Sequence, residues 1–67
     1  MNVSKLKAKI VEKDMSVKEL AEYVGIDRSS LYRKLNNFDR ITIGEAKKIK
    51  AALGLSDEEA TIIFLRN

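Results

Sequence analysis

The sequence lacks several residue types that decide which chemistry a protein can perform. It contains no cysteine and no histidine among its 67 residues. These absences exclude disulfide bridges, zinc sites of the usual thiolate or imidazole kind, and Cys–His catalysis. Proline and tryptophan are also absent and glycine occurs three times, so the ends of any helices depend largely on capping residues.

Long apolar runs are missing as well. The longest extends over residues 62–65, which is far too short to cross a membrane. The N-terminal segment alternates lysines with single apolar residues and has no continuous apolar core of a secretory signal. We therefore expect a soluble, cytoplasmic protein.

The charge is unevenly distributed along the chain. The net charge is +3 and the isoelectric point is near 9.3. Residues 1–50 hold twelve Lys or Arg against seven acids, whereas residues 51–67 hold one against three. A polyanionic partner such as nucleic acid would therefore contact the first fifty residues. On charge alone, a solvated lysine-rich face explains the excess equally well.

Capping signals divide the chain into helices. The capping-box pattern Ser/Thr-x-x-Glu occurs three times, beginning at Ser16, Thr42 and Ser56. In this pattern the hydroxyl accepts from the backbone N–H of the glutamate, whose carboxylate accepts from the N–H of the cap residue. Asp27 is a fourth N-cap candidate. Gly25 and Gly54 suit the left-handed position that follows a helix.

Between these signals, apolar residues recur with a helical period and never alternate as in a strand. The sequence predicts five helices, over Val3–Lys13, Val17–Val24, Arg28–Asn36, Ile43–Leu53 and Asp57–Leu65. The residues predicted to be buried are Val3, Leu6, Ile10, Leu20, Ala21, Val24, Leu31, Leu35, Ala46, Ile49, Leu53, Ala60, Ile63 and Phe64. We expect an all-α fold forming one domain over residues 1–67, near the lower size limit for folding without disulfides or metal.

The second and third predicted helices are separated only by Gly25, Ile26 and Asp27. A glycine followed by a buried residue and a capping residue sets a sharp crossing between two helices. The small side chain of Ala21 lets the helices approach closely at that crossing.

This segment, SVKELAEYVGIDRSSLYRKL, resembles the lambda-repressor-like, Cro-type (XRE) helix-turn-helix family. The segment ITIGEAKKIKAALGL is similar to the fourth helix of that family, and LSDEEATIIFLRN resembles the tails of small phage and prophage regulators. The resemblance covers about residues 3–65. It implies a compact five-helix lambda-repressor-like DNA-binding domain, with the motif at about residues 17–36, no cofactor and no catalytic activity.

Two positions depart from the family pattern. Val17 stands where the family often has a glutamine that holds a phosphate, and a valine side chain has no hydrogen-bonding group for that contact. Lys34 stands near the end of the third helix, which is the recognition helix of this family, at a position where the family usually has an apolar residue. We expect Leu35 to take over that packing role.

The outward face of the third helix is the candidate base-reading surface. A helix advances about 100° per residue, so if Leu31 and Leu35 are buried, Ser29 and Arg33 lie on the opposite side, with Tyr32 and Lys34 on the flanks. The predicted DNA base contacts are Arg28, Ser29, Tyr32 and Arg33. Arginine can donate twice to O6 and N7 of guanine. Tyr32 suits either a thymine methyl or a phosphate.

Phosphate contacts are expected on both sides of this helix. The predicted set is Lys18, Lys34, Asn36, Asn37, Arg40 and Thr42. Thr42 contributes with the free amides that begin the fourth helix, where the helix dipole favours an anion.

The C-terminal part contains an acidic cluster and an apolar tail. Asp57, Glu58 and Glu59 fit the first turn of a helix better than a metal site, so no metal is expected. The tail residues Ile62, Ile63, Phe64 and Leu65 are consecutive and cannot all be buried on one face of a helix. They predict either a homodimer interface or simple closure of the core, and the sequence leaves both open.

Together these features predict a sequence-specific regulator that binds double-stranded operator DNA as a homodimer, in the manner of a phage or prophage Cro-like repressor. Its location would be the bacterial cytoplasm, on the nucleoid when bound. No convergent catalytic pair or phosphate-binding glycine loop indicates an enzyme. The alternatives are a helix-turn-helix protein-interaction module of the antirepressor or antitoxin type, and RNA binding. The polar third helix favours DNA.

Overall fold

The computed structural model describes residues 1–36 and 40–65. These residues form five α-helices and a short π-helical segment, with no strand. The helices are α1 (Val3–Glu12), α2 (Val17–Val24), α3 (Arg28–Leu35), α4 (Ile43–Leu53) and α5 (Asp57–Ala60), and α5 continues as the π-helical segment Thr61–Leu65. The predicted all-α, five-helix fold is confirmed. The bounds of α2 and α4 match the prediction, and α1 and α3 end one residue earlier than expected.

The helix boundaries follow from the capping residues. All three capping boxes form: the cap hydroxyl accepts from the backbone N–H of the glutamate three residues on, and the glutamate carboxylate accepts from the backbone N–H of the cap residue. Gly25 and Gly54 adopt left-handed conformations, with φ of +86° and +62°. Asp27 occupies the N-cap position of α3, but its side chain accepts no capping hydrogen bond. The side-chain oxygen of Asn2, a cap not predicted from the sequence, accepts from the Lys5 N–H across 3.1 Å and caps α1.

The core lies where α2 packs against α3 and α4, and α1 closes it against the π-helical segment. The buried apolar residues are Leu6, Ile10, Leu20, Ala21, Val24, Leu31, Leu35, Ile49, Leu53, Leu55 and Ile63. Of these, Leu55 was not predicted. Val3, Ala46, Ala60 and Phe64 are half-buried at the margin of the core. Within residues 1–36 and 40–65 no polar or charged residue is buried, as expected for a core held by apolar contacts.

The end of the fold departs from the predicted α-helix through Leu65. From Thr61 the chain is π-helical, and a π-helix turns through a smaller angle per residue than an α-helix because its hydrogen bonds span five residues. In this segment Ile63 lies in the core, as predicted, and Phe64 packs against it, while Leu65 is 78% exposed. Four consecutive apolar residues cannot all face one side of a helix.

Ion pairs join α5 to two other helices. Lys9 in α1 pairs with Glu59, and Lys50 in α4 pairs with Asp57. The Lys9 side chain is only 17% exposed, so this lysine is not part of a solvated lysine-rich face. In the part of the chain that the structure describes, no helix has the length and apolar character needed to cross a membrane.

Candidate nucleic-acid interface

A tight turn fixes how α3 sits on α2. The backbone N–H groups of Gly25 and Ile26 both donate to the carbonyl oxygen of Ala21, across 2.8 and 3.0 Å. The left-handed φ of Gly25 is accessible to glycine without steric cost. Ala21 is buried and Ile26 packs against the core. The turn therefore fixes how the two helices cross.

The outward side of α3 carries four polar or aromatic residues. Leu31 and Leu35 are 0% and 1% exposed, and they hold the opposite side of the helix in the core. The exposed residues are Arg28, Ser29, Tyr32 and Arg33. The Tyr32 ring is half exposed, at 48%. The structure thus brings all four residues predicted as base contacts onto one accessible surface, which we call the recognition face.

The residues predicted as phosphate contacts lie at the end of α3 and on the segments that precede and follow it. Lys18 is exposed in the first turn of α2, and Arg40 is exposed just before α4. Asn36 ends α3, and its side-chain amide donates to the carbonyl oxygen of Tyr32 across 2.9 Å. Thr42 begins α4, where its hydroxyl accepts from the Glu45 N–H. Asn37 lies outside the described residues.

Lys34 differs from the other predicted phosphate contacts because its side chain is only 14% exposed. Its ammonium lies 3.1 Å from Oε1 of Glu45 and donates to the carbonyl oxygen of Arg40 across 3.0 Å. The sequence analysis did not foresee Glu45 as a partner. A signal was present, since a lysine at a position that packs beside the core requires a counter-ion.

The Glu45 carboxylate interacts both with the start of α4 and with Lys34 in α3. Its Oε1 accepts from the backbone N–H of Thr42 across 2.9 Å and also faces the Lys34 ammonium. Hydrogen bonding to Thr42 lowers the pKa of Glu45 below its ordinary value, and Lys34 lowers it further against the opposing effect of burial. The carboxylate is therefore ionised at neutral pH.

The predicted dimer residues are distributed between core and surface. Ile63 is fully buried, Ile62 and Phe64 are half-buried, and Leu65 is exposed. A groove of about 380 Å³ runs between α4 and the π-helical segment, and Phe64 and Leu65 are among its lining residues. Ile43, 78% exposed, extends the apolar surface of this groove from α4. Ile43 was not predicted as part of an interface, although an apolar residue in the first turn of a helix is a visible signal.

The acidic cluster has structural contacts. Asp57 pairs with Lys50, and Glu59 pairs with Lys9 while completing the third capping box. In the ranges 1–36 and 40–65, no group of three or more acidic side chains is arranged to hold a metal ion.

The chain has no significant match among curated proteins or among solved structures. Its residues 5–62 match the profile of the Cro/C1-type helix-turn-helix DNA-binding domain, a regulatory family whose members are generally not enzymes. The match includes α2, α3 and α4 in full, together with the Gly25 turn and the recognition face. Because this profile spans most of the 67 residues, the protein belongs to the Cro/C1-type helix-turn-helix DNA-binding family.

Proposed function

We propose that this DNA-binding regulator is a sequence-specific repressor that inserts α3 into the major groove of an operator. The observation that carries the proposal is the recognition face, whose polar residues project outward while Leu31 and Leu35 anchor the reverse side. Two exposed arginines on that side favour a polyanionic partner such as DNA. Occupation of an operator would exclude the polymerase, which is the simplest action open to a small DNA-binding domain.

Within the recognition face, the two arginines read guanine. Each guanidinium can donate to O6 and N7 together, and such a bidentate contact contributes about 1–3 kcal/mol of discrimination between bases. Arg28 reaches forward from the first turn of α3, which is the part of a recognition helix that enters the groove. Ser29 donates or accepts where space is tight, and Tyr32 contacts a thymine methyl or a phosphate.

Phosphate contacts hold the domain in register on the duplex. Lys18 and Arg40 supply charge on the two sides of α3, and Asn36 and Asn37 supply amides beyond its end. The amides that begin α4, next to Thr42, suit an anion because they carry the positive end of the helix dipole. Each neutralised phosphate steepens the plot of log affinity against log salt concentration, and its slope changes by about one. We call the magnitude of this slope the salt slope.

The functional form is a homodimer on a twofold operator. Leu65 and Ile43 expose apolar surface beside the α4 groove, and Phe64 and Ile62 are partly accessible next to them. Ile63 shapes this surface from within the core. Two copies joined there would present their recognition helices to half-sites about 34–36 Å apart. The tail resembles those of phage and prophage regulators, so we place the protein in a bacterial cytoplasm, on the nucleoid when bound.

A binding assay against the DNA flanking its own gene tests the function. Arg28→Ala and Arg33→Ala should each reduce operator affinity by about ten- to a hundredfold and relax preference at one base position. Lys7→Ala, which removes an exposed charge on α1, is the matched control and should retain that preference. Folded arginine variants that bind as tightly and selectively as the unmodified protein would refute the assignment.

A further inference from the structure

Lys34 carries its charge near the proposed DNA surface, yet its ammonium is directed into the protein. It is in the last turn of α3, with its side chain 14% exposed. The ammonium makes two close contacts, to Glu45 Oε1 and to the Arg40 carbonyl oxygen. Both partners lie beyond the end of α3, at the start of α4 and just before it. One side chain therefore joins two consecutive elements.

The capping box of α4 is complete without this lysine. Thr42 and Glu45 already exchange hydrogen bonds of 2.9 and 3.1 Å between backbone and side chain. The same exchange exists in α2 between Ser16 and Glu19, where Glu19 has no ion-pair partner within residues 1–36 and 40–65. What Lys34 adds is a connection between the capping box of α4 and the recognition helix.

That connection matters because α3 is short. An eight-residue helix has little stability of its own, and its last carbonyl groups have no partners within the helix. A charge-assisted hydrogen bond between side chains that are mostly shielded from water is stronger than an exposed surface pair. The Glu45 side chain is 18% exposed, close to the 14% of its partner.

We propose that Lys34 is a positioning residue, which locks the end of the recognition helix onto the first turn of α4 through Glu45 and does not contact phosphate. This role rests on the proposed function of α3 as the DNA-reading helix. By fixing the last turn of α3, Lys34 sets the direction in which the neighbouring Arg33 and Tyr32 approach the groove. It also fixes the backbone at Arg40, where a phosphate contact is proposed.

The two roles differ in their effect on salt dependence. Losing a phosphate contact lowers the salt slope by about one and weakens binding to all DNA alike. Losing a positioning residue leaves the slope unchanged and weakens binding to the operator more than binding to unrelated DNA, since only base reading needs an accurate orientation.

The test compares Lys34→Met with Lys18→Met on operator and non-operator duplexes across a salt series. Methionine retains the apolar stem and removes the ammonium. In Lys34→Met we expect the ratio of operator affinity to non-operator affinity to fall about five- to tenfold, while the salt slope is unchanged. We also expect faster amide hydrogen exchange at Leu35 and Asn36. Lys18→Met should lower the slope by about one on both duplexes.

A double-mutant cycle assigns the effect to the ion pair. Glutamine preserves a capping box, so Glu45→Gln removes only the charge and should lose operator preference as Lys34→Met does, with no further loss in the double variant. Glu19→Gln makes the same change in the unpaired box and should leave the preference intact. Thermal unfolding of each variant establishes that it is folded.

A slope lowered by one in Lys34→Met, or additive losses in the cycle, would overturn the positioning role while leaving the proposed function in place. An unmodified protein with no preference for operator over other DNA would instead overturn the proposed function and the positioning role together.

Discussion

The backbone N–H of Asn2 donates to the carbonyl oxygen of Ile63 across 2.7 Å. The side chain of Asn2 also caps α1. One residue therefore links the start of α1 to the π-helical segment. Ile63 is completely buried at this junction. The apolar tail therefore buries Ile63 completely, packs Phe64 against the core and leaves Leu65 on the surface.

Ile63→Ala should reduce the free energy of unfolding by about 2–5 kcal/mol, because it removes buried methyl groups and leaves a cavity. Urea denaturation at a fixed protein concentration measures the loss. Leu65→Ala, at an exposed position two residues on, should change the stability of the monomer by less than about 0.5 kcal/mol. Equal losses in the two variants would contradict the closing role of Ile63.

Leu65→Glu should weaken self-association and operator binding together, because it places a charge on the apolar surface beside the α4 groove. Sedimentation equilibrium across concentration measures the dimer. Val11→Glu is the matched control, since Val11 is 76% exposed on α1 and Leu65 is 78% exposed. An unmodified chain that remains monomeric even on operator DNA would rule out the dimer.

Acid should destabilise the protein through Glu59. The Lys9 ammonium, together with the Ser56 N–H, lowers the pKa of Glu59 from 4.5 to about 2. A depressed pKa means that the unfolded chain binds the proton first, so this contribution is complete above pH 4.5 and is lost progressively as the pH falls toward 2. Glu59→Gln preserves the capping box, and in this variant the free energy of unfolding should change less between these pH values. An unchanged profile would show that the ion pair contributes nothing.

The same ion pair predicts an effect at high pH with the opposite sign. The hydrogen bond from the Lys9 ammonium to the Glu59 carboxylate is the main cause that raises the pKa of Lys9 above 10.5. A raised pKa means that the folded protein retains the proton longer, so this stabilisation is present below pH 10.5 and is lost as the pH rises past the folded value. Thermal unfolding between neutral and strongly alkaline pH measures it. Lys9→Met should remove this part of the alkaline loss, and a variant with the same profile as the unmodified protein would contradict the assignment.

Gly25→Ala and Gly44→Ala should have opposite effects on stability. Gly25 has a φ of +86°, and no atom lies within 4 Å of the place that an alanine methyl group would occupy, so alanine there costs about 1–2 kcal/mol through backbone strain alone. At Gly44, in the first turn of α4, a methyl group would lie 4.0 Å from Thr42 Oγ1, an ordinary contact. Alanine there should stabilise by about 0.4–1 kcal/mol by restricting the unfolded chain. Chemical denaturation of both variants measures the difference, and equal signs would contradict the role of the turn.

Local sequence signals account for the bounds of α2 and α4 and for the outward side of α3. Capping boxes at Ser16, Thr42 and Ser56 and the left-handed Gly25 act between residues three or four positions apart, so their outcome depends little on the rest of the chain. The spacing of Leu31 and Leu35 likewise determined which side of α3 faces the core. These local interactions explain why the bounds of α2 and α4 were predicted correctly.

Only the tertiary structure decided the roles of Lys34, Lys9 and the apolar tail. The position of Lys34 signalled a need for a counter-ion, but the partner of each lysine is contributed by another helix and could not be named from the sequence. The run of apolar residues at 62–65 fits either a core or an interface, and the choice depends on the space left by α1 and α4. The physical reason is that burial and ion pairing are properties of a site formed by distant segments, whereas capping and helical period belong to the chain itself.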